Sequence, residues 1–241
     1  MDYTFTDNYY REKGRKFFHD LVMGPNSMRV SEELAAQPEI NIQKSMRILD
    51  LGCGMGLSSI FLAQKYGAQV FAADLWISPT TNFTTFKSVG LENSIIPVSV
   101  DVTKGLPFAQ GYFDMIFSVD SYHYYGANDT MLPFLSDFVK PGGIIAVAVP
   151  GIKENFPDEW PDEMLPFRVP DMNFYKPSWW QKTWNNCNKV DVLKTNEALC
   201  CKQAWDEWLE SHNPYAQGDI AMMKAENGKY YNIVQIIAQV K

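Results

Sequence analysis

The chain has 241 residues, 46% of them hydrophobic, and 28 acidic against 21 basic side chains give it a formal net charge of −7; that is enough chain to bury one substantial core unaided. Neither overall basicity nor a long Lys/Arg block is present, which argues against a nucleic-acid backbone or an anionic membrane surface as partner. Cys53, Cys187, Cys200 and Cys201 lack metal-ligand spacing, so no metal site or disulfide framework is expected; with no secretory-signal pattern and no apolar run near the roughly 20 residues that span a bilayer, the expected location is cytoplasmic.

In chain order, Tyr10, Phe17, Phe18 and Leu21 predict a helix over Asp7 to Val22, whose Arg11, Lys13, Arg15 and Lys16 form a solvated basic face. Gly24-Pro25-Asn26-Ser27 is a turn, and Ser27 is placed to cap a second helix from Met28 to about Ala36. Residues 1–45 therefore read as an N-terminal helical flank or lid. The core begins at Met46 with a strand to Leu51 that runs into Gly52-Cys53-Gly54-Met55-Gly56, followed by helical spacing from Leu57 to Tyr66. Val70 to Asp74 is a second strand, Pro79 to Val89 a crossover helix, Ile95 to Val100 a third strand, and Phe113 to Val119 a fourth. A helix over Asp129 to Val139, a turn at Lys140-Pro141-Gly142-Gly143 and the continuous apolar run Ile144 to Val149 complete residues 46–150. Strands alternating with crossovers imply a parallel sheet.

From Pro150 to Pro177 the prolines preclude a long helix, and the interspersed aromatics mark an ordered covering loop. Ser178 is expected to cap a helix through about Cys187; Val190 to Leu193 is a strand, Glu197 to Glu210 a helix and Tyr231 to Val240 a last strand, paired antiparallel. The fold class is α/β, a Rossmann-like open sheet of about seven strands with helices on both faces. Residues 151–241 complete the same domain on the acceptor side.

Three glycines at alternating positions after a strand let backbone approach a ligand where a Cβ would clash, and the following helix presents free N–H groups. A dinucleotide fingerprint would need a third glycine where Leu57 stands, and a phosphate-binding loop would need Lys then Ser or Thr where Gly-Leu-Ser stands.

Ile48-Leu49-Asp50-Leu51-Gly52-Cys53-Gly54-Met55-Gly56 instead resembles the first motif of the class I S-adenosylmethionine-dependent methyltransferases. Further support comes from Ala72-Ala73-Asp74-Leu75, Val100-Asp101-Val102, Leu106-Pro107-Phe108 and Lys140-Pro141-Gly142-Gly143, in the family's order. The resemblance implies that the chain binds S-adenosyl-L-methionine and releases S-adenosyl-L-homocysteine. Gly52, Cys53, Gly54 and Gly56 would pack around the methionine part, with Asp50 near its amino group. Asp74, with Leu75 beside it, would hold the ribose hydroxyls, and Asp101 with Val102 the adenine.

Methyl transfer asks for in-line placement, exclusion of water and removal of any acceptor proton. By the same resemblance Ser118 to Tyr125 borders the transferring methyl group, with Ser118 or Val119 touching the cofactor. Asp120 and His123 are the candidates to orient or deprotonate the acceptor, and Tyr9 and Tyr10 are placed to close over the sulfonium. The proline-rich segment with Trp179-Trp180 is expected to complete the acceptor chamber. Two alternatives stand beside a small-molecule methyltransferase. A cyclopropane-fatty-acyl-phospholipid synthase-like enzyme shares size and fold, but its usual Glu-His pair is replaced here by Asp120-Ser121-Tyr122-His123. A non-catalytic cofactor-binding interaction protein would keep the first site without an acceptor cavity. Oligomeric state is not legible.

Overall fold

The computed structural model describes residues 3–211 and 213–241. Seven strands form one sheet in the order β3-β2-β1-β4-β5-β7-β6, where β1 is Arg47–Leu51, β2 Gln69–Asp74, β3 Ile95–Ser99, β4 Phe113–Val119, β5 Val139–Ile152, β6 Val190–Glu197 and β7 Tyr231–Val240. The first five run parallel, and β7 lies antiparallel between β5 and β6. The strand order reverses between β1 and β4, so the carboxyl ends of those two strands open the crevice in which open sheets of this kind bind ligands.

The central strands bury both faces, which is why they read as continuous apolar runs. Ile48, Val70, Ala72, Phe117, Ala146 and Ala148 point into one core and Leu49, Leu51, Ala73, Ile116, Ile145 and Val147 into the other. The first core is covered by α1 (Thr4–Lys13), α2 (Arg15–Leu21), α3 (Ser27–Ala35), α4 (Leu57–Tyr66), α5 (Pro79–Ser88) and, further along the chain, by two helices after β6. The second core takes α6 (Met131–Ser136) and α7 (Pro177–Asn185), with Trp180 and Trp184 fully buried. The two helices after β6 are α8 (Cys201–Leu209) and α9 (Pro214–Glu226).

Several expected boundaries are corrected. The helix expected over Asp7 to Val22 is broken into α1 and α2 by Gly14, whose φ of 81° suits glycine. Asn26, not Ser27, caps α3: its carboxamide oxygen accepts from the Met28 and Arg29 N–H groups at 3.0 and 3.4 Å, leaving Ser27 as the first helical residue. Ser178 does not cap α7 but donates to Glu154 at 2.6 Å, and Pro177 occupies the first turn, where its missing N–H costs nothing. The turn expected at Lys140 to Gly143 lies inside β5 as a register shift against β4, between the Phe113↔Val139 and Met115↔Ile144 pairs. Asn128 starts α6 late by accepting from the Thr130 and Met131 N–H groups. The sequence reading missed α9 altogether.

The N-terminal helices are fastened to the body by three buried charged residues of α3. Arg29, 1% exposed, is paired bidentately with Glu207 of α8 and reaches Asp7 of α1 at 2.9 Å. Glu32 accepts from the Phe5 and Thr6 N–H groups at the start of α1. Glu33 accepts from the Leu199 and Cys200 N–H groups leading into α8. Carboxylates at helix starts satisfy orphan donors and oppose the positive end of the dipole. Among the described residues no helix is long and apolar enough to cross a membrane.

Candidate active site

At the carboxyl ends of the parallel strands the fold leaves a cleft of about 360 Å³. Its floor is the β1–α4 glycine loop. Gly52, Gly54 and Gly56 have φ of 76°, 53° and 93°, all in the left-handed region. Two of them are also required by space, since a Cβ on Gly52 would overlap the Ser121 hydroxyl and one on Gly56 would enter the Phe86 ring. The loop is tied from the side by Asn82 of α5, whose amide donates to the Gly54 carbonyl at 3.0 Å. Of the loop residues, Gly52, Cys53, Gly54 and Met55 line the cleft. Gly56 sits behind it as the residue before α4, and burial pushes the Cys53 thiol well up, which keeps it protonated.

Asp50 is fully buried beneath the loop. One oxygen accepts from Ser58 and Ser59 at 2.6 and 2.5 Å, while Oδ1 has no partner. Burial outweighs the two hydroxyl donors and, with Asp74 nearby, raises the carboxyl to about 6. A buried oxygen without a donor beside a cleft-lining Ser58 fits a cationic amine arriving from the cleft.

Asp74 ends β2 and lines the cleft with Leu75. Oδ2 accepts from the Gly54 N–H at 2.8 Å and Oδ1 from the Trp76 and Ile77 N–H groups at 2.8 and 2.9 Å. The acid thus clasps the glycine loop to the next turn while leaving lone pairs toward the cleft. Asp101 follows β3, accepts from the Thr103 N–H and hydroxyl, and pairs with Lys104 at 3.0 Å. The Thr103 and Lys104 contacts hold its carboxyl below the usual range. Val102 lines the cleft beside it.

The opposite wall is the segment between α2 and α3, with Leu21, Met23, Gly24, Pro25 and Ser27. Asp120, Ser121, Tyr124 and Tyr125 close the end past β4. Asp120 has a φ of 57°, uncommon for a residue with a side chain, and its carboxylate lies where a Cβ on Gly24 would sit. Burial, with a contribution from Asp219 of α9, raises its carboxyl well above the ordinary value.

Six residues singled out from the sequence stand outside the cleft lining: Asp50 beneath the glycine loop, Gly56 at its end, and Ser118, His123, Tyr9 and Tyr10. Ser118 is fully buried and donates to the Leu51 carbonyl at 2.7 Å. His123 is 3% exposed, packs its ring 4.0 Å from Tyr124 and 5.9 Å from Phe174, and leaves Nδ1 without a partner. Burial alone lowers its imidazole to about 4, so it is neutral and weakly basic near pH 7. Tyr9 is 2% exposed among Phe5, Phe17 and Phe18, and Tyr10 stacks on Phe18 at 3.6 Å. Both tyrosines serve the packing of the N-terminal helices.

Trp180 is buried against Tyr122 and Trp179 stacks on Tyr175, so neither lines the cleft, and none of residues 150–187 does. That segment meets the site indirectly, through the Asn173 amide donating to the His123 carbonyl at 3.1 Å. The sequence reading missed Trp76, Asn82 and Asp219. Trp76 had a signal, two residues past the strand-ending acid, whereas Asn82 and Asp219 sit on helices whose approach is set by packing.

One glycine loop, with acids at the ends of β2 and β3, therefore converges on a single cleft. Residues 48–143 match the family model of the methyltransferase domain. Over these residues the chain is similar to the class I S-adenosylmethionine-dependent methyltransferases. A probable tocopherol O-methyltransferase, chloroplastic, of Oryza sativa subsp. japonica is 29% identical over 198 residues, which cover 78% of this chain and 52% of the rice protein. The glycine/sarcosine/dimethylglycine N-methyltransferase of Actinopolyspora halophila is 27% identical over 159 residues, 59% of this chain and 28% of that protein. The chain thus spans about half the length of the first relative and less of the second. The geranyl diphosphate C-methyltransferase of Streptomyces coelicolor A3(2), solved with Mg2+, geranyl diphosphate and S-adenosyl-L-homocysteine, shares its fold with a TM-score of 0.68 at 13% identity, over 89% of this chain and 76% of that one.

Proposed function

We propose that this chain transfers the methyl group of S-adenosylmethionine to a small-molecule acceptor in the cleft between the glycine loop and the Leu21–Ser27 wall. The observation that carries the reading is the division of labour among the acids. Asp50 keeps an unpartnered buried oxygen under the loop, Asp74 clasps the loop at the cleft edge, and Asp101 stands at the far end. Those positions suit an ammonium, a pair of ribose hydroxyls and an exocyclic amine in turn, and a carboxylate is the right acceptor for each. When bound, the cofactor supplies an electrophilic methyl group on a sulfonium.

The protein's own part is placement and exclusion of water. Gly52, Cys53 and Gly54 bring backbone against the ligand, and Met23 and Pro25 cover it from the N-terminal side. Asp120 is the acceptor-side residue with a carboxyl oxygen in the cleft. His123 acts through position, as a neutral ring supporting Tyr124. Residues 1–45 serve as the cover and 46–150 as the cofactor-binding part. Residues 151–241 complete the sheet and back the acceptor end through Phe174 and Asp219. All four cysteines are free thiols, which supports the cytoplasm as the compartment.

The test is calorimetric titration of the protein with S-adenosylhomocysteine, followed by a metabolite screen that reads its release from S-adenosylmethionine. Saturable one-to-one binding and acceptor-dependent release are expected. No binding at millimolar ligand would refute the assignment of the cleft.

A further inference from the structure

The acceptor end of the cleft has a chemistry that the cofactor does not use. Among the described residues that line the cleft there is no Lys, Arg or His, and the charged groups are Asp74, Asp101 and Asp120. Asp74 spends both oxygens on backbone donors and Asp101 is held by Thr103 and Lys104. The Asp120 carboxylate has no hydrogen bond or ion pair among the described residues, although it faces the cleft at a backbone conformation that costs strain. Asp219, which accepts from the Trp208 indole at 2.8 Å, lies near enough that its charge acts on both Asp120 and Tyr124.

At the mouth of the cleft, Tyr124 and Trp76 set their rings 5.6 Å apart in an edge arrangement and are 58% and 67% exposed. Large aromatic rings left bare beside an unpaired carboxylate offer a cation both a counter-charge and quadrupole faces. The nearby imidazole of His123 adds no positive charge, since burial keeps it neutral. An anionic acceptor would meet like charge with no basic side chain among the described lining residues to receive it, and a neutral hydroxyl could hydrogen-bond Asp120 but would bring no charge to offset it.

We propose that the acceptor is a small primary or secondary amine, seated as its cation between Asp120 and the Tyr124 and Trp76 rings and methylated on that nitrogen. This rests on the methyltransferase reading of the cleft. Asp120 takes one proton from the ammonium, and the freed nitrogen lone pair forms the new N–CH3 bond. The S–CH3 bond breaks with its electron pair left on sulfur. The products are S-adenosylhomocysteine, the N-methylated ammonium and one proton, passed from Asp120 to water. A carboxyl raised by burial is a better proton acceptor than an ordinary one, and the approach of a cation restores its charge.

The experiment titrates the protein, saturated with S-adenosylhomocysteine, with two matched fragment sets followed by ligand-observed NMR. One set is 2-phenylethylamine, 2-phenylethanol and phenylacetate; the other is butylamine, butanol and butyrate. In each set the amine is expected to bind at least about tenfold tighter than the alcohol, with the carboxylate weakest. In Asp120→Asn, an isosteric change that tolerates the positive φ, the ratio should fall below about threefold with the melting temperature retained. Asp219→Asn, which still accepts from Trp208, should reduce the ratio part-way. Amine preference absent in wild type, or unchanged in Asp120→Asn, overturns the proposal. Binding of S-adenosylhomocysteine is measured separately in each protein, so a failure of the cofactor reading shows as loss of that binding and is not confused with a failure of the amine reading. With the best-bound amine, mass spectrometry of the product should place the methyl group on nitrogen; methylation elsewhere also overturns it.

Discussion

Replacing Asp74 by Asn changes one atom and tests how the cofactor end of the cleft is built. In the native protein Oδ1 serves the Trp76 and Ile77 N–H groups and Oδ2 serves the Gly54 N–H. An asparagine keeps the first pair with its amide oxygen and turns an NH2 toward the Gly54 N–H, donor against donor. Loss of one hydrogen bond to a charged group costs about 1.5–3 kcal/mol. At this chain length that corresponds to a melting temperature lower by roughly 5–10 °C. If Asp74 also receives the ribose hydroxyls, affinity for S-adenosylhomocysteine falls by a further factor of about 10–150, the same energy expressed as binding. Calorimetry with S-adenosylhomocysteine and with adenosine separates the two effects, because adenosine carries the ribose without the amino-acid part and should lose a similar factor. A lowered melting temperature with both affinities within about twofold of wild type would refute the ribose assignment and leave Asp74 a loop clasp only.

Asp50 gives a proton-linked expectation. Its carboxyl lies at about 6 in the folded protein against an ordinary 3.8, so the folded state holds the proton longer than the unfolded one, and this group's contribution to stability falls as pH rises from about 4 to about 6. An ammonium beside its free oxygen favours the ionised form, so binding of S-adenosylhomocysteine at pH 6 should release roughly half a proton. Calorimetry in two buffers of different ionisation enthalpy measures this, and proton uptake would contradict it. Arg29→Ala would leave Glu207, 15% exposed, and Asp7 without their shared cation, at a cost of about 3–5 kcal/mol. Urea denaturation should show that loss, together with weaker S-adenosylhomocysteine binding, because α3 anchors the Leu21–Ser27 wall. A stability change under about 1 kcal/mol would mean that the pair is not what fastens the N-terminal helices.

The sequence by itself determined the local frame of the proposed cofactor end. A motif such as Asp50 to Gly56 is local: its turn, its left-handed glycines and the strand before it all come from consecutive residues, and Asp74 and Asp101 are each read from the end of their own strand. The same locality made the parallel sheet legible, since β1 to β5 bury both faces and announce themselves as apolar runs. Where short-range signals competed, the reading slipped. Gly14 broke a helix whose apolar spacing ran on, Asn26 outbid Ser27 as a cap, and α9 has little amphipathic pattern to betray it. The acceptor half was decided by tertiary packing. Whether Tyr9, His123 or Trp180 reaches the cleft depends on helix docking angles. Packing buried the first among phenylalanines, the second beneath Tyr124 and the third in the opposite core. The same docking brought Asp219, almost one hundred residues further along the chain, within electrostatic reach of Asp120. No periodicity or spacing carries that proximity, because it exists only once α9 has packed against α8 and the 162–167 segment.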